Sequence, residues 1–173
     1  KPNGAPAPVI ADPADLFRDG DEKRGYFISL AGPEKYGKTT FSSAAPNPCF
    51  IMADRGGLKS LPRTIKRVVP DSWPAIMAAL ATLRDKPHDF GTVVLDTTFK
   101  AESMLIRHLV EKDKKASLRQ VAGGYGAGNE ILEGEINKVI DVFFTLNERG
   151  IHTIAISQIE TKTEKDAAVD DYE

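Results

Sequence analysis

The chain has little cysteine, no long hydrophobic run and no excess of charge of one sign. Its 173 residues include one cysteine, Cys49, which excludes an intramolecular disulfide framework and a cysteine-rich zinc site. No apolar run approaches the roughly 18 residues that a membrane-spanning helix needs, so we expect no membrane partner. The 23 basic and 25 acidic side chains give a net charge of -2. This balance excludes a globally basic nucleic-acid-binding protein, so any contact with DNA must come from a local patch.

Short apolar runs alternate with stretches of helical spacing through most of the chain. The apolar runs predict strands at 26–30, 49–52, 64–69, 92–95 and 151–156. The helical stretches predict helices at 38–44, 75–84 and 99–114, and a further helix that contains residues 131–144 and ends at Gly150. This alternation indicates an α/β fold of three layers, in which a mostly parallel central sheet has helices on both faces.

Three segments carry additional expectations. The run at 26–30 is short and mainly apolar, which predicts a buried strand. The glycines of residues 121–128 predict a loop. Several prolines near the start predict a flexible leader at residues 1–24, followed by a core at residues 25–173.

A phosphate-binding motif follows the first predicted strand, at the sheet edge where parallel sheets bind ligands. Residues 32–39, Gly-Pro-Glu-Lys-Tyr-Gly-Lys-Thr, fit the pattern Gly-x-x-x-x-Gly-Lys-Ser/Thr between a strand and a helix. The glycines let backbone N–H groups converge on phosphate oxygens, and the helix adds the positive end of its dipole. Lys38 is expected to contact the β- and γ-phosphates. The predicted nucleotide-binding residues are Gly32, Pro33, Glu34, Lys35, Tyr36, Gly37, Lys38, Thr39 and Thr40.

A carboxylate at the end of another strand completes a candidate magnesium site. Residues 93–96, Val-Val-Leu-Asp, place Asp96 directly after a buried strand. Together with the phosphate loop, this position is typical of an aspartate that holds Mg²⁺ directly or through water. The predicted metal ligands are therefore Thr39 and Asp96, and Thr97 and Thr98 are placed to assist by hydrogen bonding.

Two other classes of phosphate-loop protein fit less well. A GTPase needs Asn-Lys-x-Asp after a strand, whereas the nearest match, residues 137–141, is one residue too long and lies in a predicted helix. A small-molecule phosphotransferase usually has an arginine-rich lid, but Arg63, Arg67 and Arg84 are scattered. The GTPase is disfavoured, and the phosphotransferase stays open as an alternative.

Two strand ends resemble those of RecA-type ATPases. Residues 156–159, Ile-Ser-Gln-Ile, are similar to the strand end at which that family places a glutamine that senses the γ-phosphate. Residues 50–54, Phe-Ile-Met-Ala-Asp, are similar to the strand before its catalytic glutamate. With residues 32–41, 47–48, 56–58 and 123–126, they resemble a phage subgroup of RecA-like proteins that act as single-strand annealing recombinases.

The resemblance implies a RecA-like P-loop NTPase fold and Mg²⁺-dependent ATP hydrolysis coupled to single-stranded DNA. It implies catalytic roles for Lys38, Asp54 and Gln158, with the strand of Gln158 inserted between the phosphate-loop strand and the Asp96 strand. Asp54 would orient or deprotonate water. The side chain of Asp54 is one methylene shorter than the family's glutamate, so hydrolysis is expected to be slow. A nucleotide-gated interaction module with little hydrolysis is a further alternative.

Binding to single-stranded DNA needs cations for the phosphates and an aromatic face for the bases. The DNA-binding candidates are Lys112, Lys114, Lys115, Arg119 and Tyr125 in one segment, and Lys162 and Lys165 after the last strand. A lysine run such as that at 112–115 is more often a solvated helix end. The resemblance also implies a homo-oligomeric ring or filament, a single-strand-binding protein as a partner, and the cytoplasm of a bacterial host cell.

Overall fold

A computed structural model of the chain describes residues 23–159. Five strands form one sheet in the order β1-β5-β4-β2-β3, and every neighbouring pair is parallel. The strands are β1 Phe27–Gly32, β2 Pro48–Met52, β3 Lys66–Val68, β4 Thr92–Asp96 and β5 His152–Gln158. The sequence-based expectation of an α/β fold with a mostly parallel sheet is confirmed.

Within the described residues, four α-helices and two 3-10 helices connect the strands. The α-helices are α1 Lys38–Ser43, α2 Trp73–Asp85, α3 Thr98–Lys112 and α4 Ala127–Glu148. The 3-10 helices are Arg55–Ser60, here called the 55–60 turn, and Leu118–Gly123. None of the helices in residues 23–159 is long and apolar enough to cross a membrane.

The sheet is covered on both faces because its central strands are apolar on both sides. Ile51, Leu95 and Ala155 face the longer helices α2, α3 and α4. Phe50 and Val94 face the opposite side, which is covered by the α1 region and by Leu58 of the 55–60 turn. The three-layer arrangement is therefore confirmed, with the larger core under the three long helices.

The first strand differs from its prediction as a buried strand. Phe27 is 39% exposed and Ile28 is 38% exposed, although both are apolar. The reason is that β1 lies at one edge of the sheet and pairs only with β5 within the described residues. An apolar run alone does not distinguish a central strand from an edge strand.

The prediction of a loop over residues 121–128 is wrong at its carboxyl end, where α4 already begins at Ala127. Val121 and Ala122 fall within the bounds of the second 3-10 helix, but their φ/ψ angles of -64°/143° and 53°/35° are not helical, so the backbone kinks there. Gly124 and Gly126 have φ angles of 87° and 92° and also interrupt the helical structure. The irregular backbone expected from the glycines is therefore present before Ala127, with Val121 buried at its start.

The other predicted elements are present with shifted ends. The strand predicted at 64–69 spans only Lys66–Val68, and the helix predicted at 99–114 is Thr98–Lys112. The last strand begins one residue later than predicted and reaches Gln158. Residues 1–22 of the predicted leader, and the tail from residue 160, lie outside the described residues.

Candidate nucleotide-binding site

The phosphate loop lies between β1 and α1, as the motif requires. Lys35 and Gly37 have positive φ angles of 65° and 80°, so the backbone curls before the first turn of α1. When residues with positive φ alternate with residues with negative φ, successive backbone N–H groups point toward one concave site. The Nζ atom of Lys38 donates to the carbonyl oxygens of Gly32 and Pro33, each over 2.6 Å. The ammonium group therefore lies against its own loop.

A cleft of about 390 Å³ opens beside this loop, at the carboxyl ends of the strands. Most of the predicted site residues line it: Glu34, Lys35, Gly37, Lys38, Thr39, Thr40, Asp54, Asp96 and Gln158. Gly32, Pro33 and Tyr36 line a separate depression on the outer side of the loop instead. The structure thus brings residues that follow β1 and β2, and residues of β4 and β5, to one cleft, while their individual roles stay predictions.

Thr39 and Asp96 meet within the cleft. Thr39 Oγ1 donates a hydrogen bond of 2.7 Å to Asp96 Oδ2. Asp96 ends β4 and is 2% exposed, and its carbonyl oxygen accepts a hydrogen bond from the Asp54 N–H over 3.0 Å. Burial raises the pKa of the Asp96 carboxyl, the hydrogen bond from Thr39 opposes that rise, and the nearby negative charge of Asp54 adds to it.

The donor set at this point fits a magnesium ion. A threonine hydroxyl and a buried carboxylate are the oxygen ligands that Mg²⁺ takes from phosphate-loop proteins. Space for an ion is kept by Gly57 of the 55–60 turn. A Cβ atom at this position would lie 3.5 Å from Asp96 Oδ2 and 3.7 Å from Thr39 Oγ1. Glycine therefore leaves room beside both predicted ligands.

Asp54 has a structural role as well as a place in the cleft. Its Oδ1 accepts a hydrogen bond of 2.9 Å from the Gly56 N–H and so caps the 55–60 turn. Aspartate is a preferred residue at such a cap because its carboxylate satisfies a free backbone donor. The same side chain lines the cleft. The carboxylate is thus positioned by its own turn, and its action on water stays a prediction.

Gln158 reaches the cleft because of the strand order. β5 lies between β1 and β4, so Gln158 is paired in register with Gly32 at the start of the phosphate loop. The strand insertion that the RecA resemblance implied is therefore confirmed. The neighbouring residue Ser157 forms a hydrogen bond of 2.8 Å with the hydroxyl of Thr98, the first residue of α3. This bond joins the end of β5 to the segment that follows Asp96.

The described DNA-binding candidates, which belong to the segment 112–125, do not line the cleft. Lys112 ends α3, roughly 20 Å along the helix axis from Thr98. The side chains of Lys112, Lys114, Lys115, Arg119 and Tyr125 are all exposed. Asp113 Oδ2 accepts a hydrogen bond of 2.8 Å from the Ala122 N–H, which folds the segment back on the end of α3. Lys162 and Lys165 lie outside the described residues.

Several residues of the cleft were not identified from the sequence as site residues. They are Gly56, Gly57, Lys59, Thr97 and Ile156. Thr97 had been noted only as a hydrogen-bonding neighbour of Asp96, and its Oγ1 accepts from the Lys100 N–H at the start of α3. The paired glycines after Asp54 were the available signal for the 55–60 turn. No sequence pattern identifies Lys59 as a site residue, because no motif requires a lysine at that distance from the phosphate loop or from Asp54.

Comparison with known proteins agrees with this fold. Residues 24–173 match the family model described as AAA domain, AAA_24. The crystal structure of the RadB recombinase is similar with a TM-score of 0.51 and 14% identity, over 84% of this chain and 67% of that chain. At that identity the likeness shows the fold alone. No curated protein matches the chain. The family match covers all but the first residues, and the chain therefore belongs to the AAA_24 family of AAA domains, with the fold of a RecA-like P-loop ATPase.

Proposed function

We propose that the protein binds ATP with Mg²⁺, hydrolyses it slowly, and couples this cycle to single-stranded DNA in phage-type recombination or strand annealing. The observation that carries the proposal is the single cleft into which the fold brings the phosphate loop, the Thr39–Asp96 pair, Asp54 and Gln158. Proteins that hydrolyse nucleotides by positioning and charge stabilisation need these groups together.

Each group has a defined task in the proposed reaction. The loop amides and Lys38 bind the phosphates, and Thr39 and Asp96 would hold Mg²⁺. When bound, Mg²⁺ would supply positive charge that stabilises the negative charge developing on the phosphates. Asp54 orients a water molecule and accepts its proton as the water oxygen bonds to the γ-phosphorus. The bond from that phosphorus to the bridging oxygen breaks, and ADP and phosphate leave. Gln158 contacts the γ-phosphate and responds to its loss.

The DNA part of the proposal is supported by the exposed segment 112–125. Four cations and one aromatic ring are displayed there: Lys112, Lys114, Lys115, Arg119 and Tyr125. The carboxylate of Asp113 is occupied by a backbone donor of the same segment. Exposed cations next to an aromatic face are the combination that single strands require. The RecA-like fold of the chain, similar to that of RadB recombinase, adds to this support.

Assembly of several copies is part of the same proposal. Both outer strands, β1 and β3, have one unpaired side within the described residues, and unpaired strand edges accept further strands. Size-exclusion chromatography with light scattering, with and without ATP and single-stranded DNA, measures the mass. A ring or filament is expected with both ligands, and the mass of one chain under every condition would contradict assembly.

ATP hydrolysis measured with and without single-stranded DNA tests the proposed function. We expect Mg²⁺-dependent turnover that DNA stimulates, and stimulation that weakens as salt rises. The double variant Lys114→Ala/Lys115→Ala should lose stimulation and keep the DNA-free rate. The exposed Lys86→Ala, directly after α2, is the matched control and should behave as the wild type. Transfer of phosphate to a small acceptor instead of water would favour a phosphotransferase.

A second candidate function is a nucleotide-gated interaction module. The observation that favours it is the hydrogen bond from Gly56 to Asp54, which commits one carboxylate oxygen to the cap of the 55–60 turn. Such a module would bind ATP tightly and turn it over at the background rate. Hydrolysis by the wild type at the uncatalysed background rate, unchanged in Asp54→Asn, would therefore support it.

A further inference from the structure

Charged side chains of both signs line the cleft, and the positive ones come from two walls. Glu34, Asp54 and Asp96 supply the negative charges, whereas Lys35 and Lys38 supply positive charges from the phosphate loop. Among the described residues, Lys59 is the one further cation of the lining, and it comes from the 55–60 turn. The loop is therefore not the only source of positive charge at the site.

The 55–60 turn is held next to the predicted magnesium ligands. Asp54 caps its start, and Gly57 approaches Thr39 and Asp96 closely enough that an added Cβ would contact both. Lys59 follows Gly57 by two residues in the same turn and lines the same cleft. A phosphate chain bound at Thr39 would consequently lie beside the wall that carries Lys59.

Lys59 and Lys38 differ in the state of their ammonium groups. Lys38 donates to two carbonyl oxygens of its own loop. Within residues 23–159, neither of the ion pairs, Arg84–Asp85 and Lys138–Glu135, involves Lys59, and its side chain is exposed. A solvated lysine at the mouth of a phosphate site can contact an anion without giving up an existing contact. Lysine acts on phosphate as a mobile point charge, which suits this position.

We propose that Lys59 binds the phosphates of the nucleotide from the 55–60 turn, across the cleft from the phosphate loop. The proposal rests on the proposed nucleotide-binding function and adds a second phosphate-binding wall to it. Because the same turn contains Gly57 and is capped by Asp54, a phosphate held by Lys59 also fixes the turn over the predicted magnesium ligands. Lys59 is thus a binding residue that draws the turn to the phosphates.

Nucleotide titrations of matched variants test this role. Isothermal titration with Mg²⁺ and a non-hydrolysable ATP analogue, and then with ADP, compares the wild type with Lys59→Ala, Lys59→Arg and Arg55→Ala. Arg55 is the matched control, since it is an exposed cation of the same turn that does not line the cleft. Lys59→Ala should bind both nucleotides roughly 10-fold more weakly, as expected for one charge-assisted contact. Lys59→Arg should recover most of the affinity, and Arg55→Ala should match the wild type.

A second readout reports the movement of the turn. Hydrogen exchange of the 55–60 amides should slow when the ATP analogue binds to the wild type, and should slow much less in Lys59→Ala. Because Lys59 is exposed, the thermal unfolding of its variants should match that of the wild type, which excludes misfolding as the cause.

The outcomes separate this inference from the proposed function. Wild-type affinity in Lys59→Ala, together with lost binding in Lys38→Ala, would overturn the role of Lys59 and leave the nucleotide site standing. Equal losses in Lys59→Ala and Arg55→Ala would also overturn it, because they would indicate a general effect of charge. A wild-type protein that binds neither nucleotide would overturn both.

Discussion

The hydroxyl of Thr39 donates a hydrogen bond of 2.7 Å to Oδ2 of Asp96, which joins the first turn of α1 to the end of β4. The two residues lie far apart in the sequence, and the parallel sheet brings them together because both follow strands at the same edge. The bond satisfies one oxygen of a carboxylate that is otherwise buried. A divalent cation bound at this place would be coordinated by the Asp96 carboxylate and would offset the cost of burying its negative charge.

Asp96→Asn should make the metal-free protein more stable at neutral pH. Burial raises the pKa of the Asp96 carboxyl, so the folded state holds this proton more tightly than the unfolded state does. The stability that this group contributes at low pH is lost as the pH rises through its folded-state pKa. Asparagine removes the charge and keeps an acceptor for Thr39. Thermal unfolding should show a higher midpoint for the variant at pH 7 to 8. The difference should shrink as the pH falls through the raised folded-state pKa of Asp96 and should be smallest below the ordinary aspartate pKa of about 4.

Magnesium provides the control for that comparison. Mg²⁺ with nucleotide should raise the unfolding midpoint of the wild type more than that of Asp96→Asn, because the variant lacks a charged ligand. A variant that is less stable than the wild type at pH 8 without metal would contradict the account of a destabilising buried charge.

Two substitutions of Asp54 distinguish its role as the cap of the 55–60 turn from its proposed role as the base that activates water. Asparagine also caps turns and helices, so Asp54→Asn should keep the 55–60 turn and lose the base. Steady-state kinetics should show a kcat roughly 100-fold lower with little change in ATP affinity. Asp54→Ala removes the cap as well, and should additionally weaken nucleotide binding through the displaced turn. Unchanged turnover in both variants would mean that another group activates water.

The hydrogen bond between Ser157 and Thr98 is expected to couple the strand of Gln158 to the segment after Asp96. A double-mutant cycle with Ser157→Ala and Thr98→Val measures that coupling as the non-additive part of the free energy of unfolding. A value of about 1 kcal/mol is expected for a partly buried hydroxyl pair. Fully additive effects of the two substitutions would show that the bond does not contribute.

Cys49 should be inert in the folded protein. It lies in β2 with 6% of its surface exposed, and burial raises the pKa of its thiol to about 12. A thiol reagent such as DTNB at pH 8 should leave it unmodified in buffer and modify it fully in denaturant. Rapid reaction of the native protein would contradict the position of β2 in the core.

The sequence predicted the parts of the site that a local motif defines. The conformation of residues 32–39 could be predicted from the motif alone, because a backbone loop that wraps phosphates needs this spacing of glycine and lysine. The strand order around Gln158 came from a family resemblance, since no local pattern tells which strands are neighbours. The alternation of strands and helices gave the class of fold for the same local reason, as each element must bury one apolar side.

The parts that sequence reasoning missed depend on tertiary position. Phe27 and Ile28 are apolar and yet exposed, because β1 lies at the edge of the sheet. Lys59 lines the cleft only because the 55–60 turn packs beside α1, and a lone lysine in a polar segment is typical of any surface. Tyr36 belongs to the motif but lines a neighbouring depression rather than the cleft, and the motif alone does not tell which of its variable side chains face the site.

The most direct test of the account is the affinity of Lys38→Ala for an ATP analogue in the presence of Mg²⁺. The measurement is isothermal titration of the wild type and the variant, with circular dichroism to show that both are folded. The account predicts micromolar or tighter binding by the wild type and a loss of roughly 100-fold or more in the variant, because an ammonium that contacts two phosphates is removed. Equal affinities for the folded wild type and variant would contradict it, because the nucleotide would then bind away from the loop between β1 and α1.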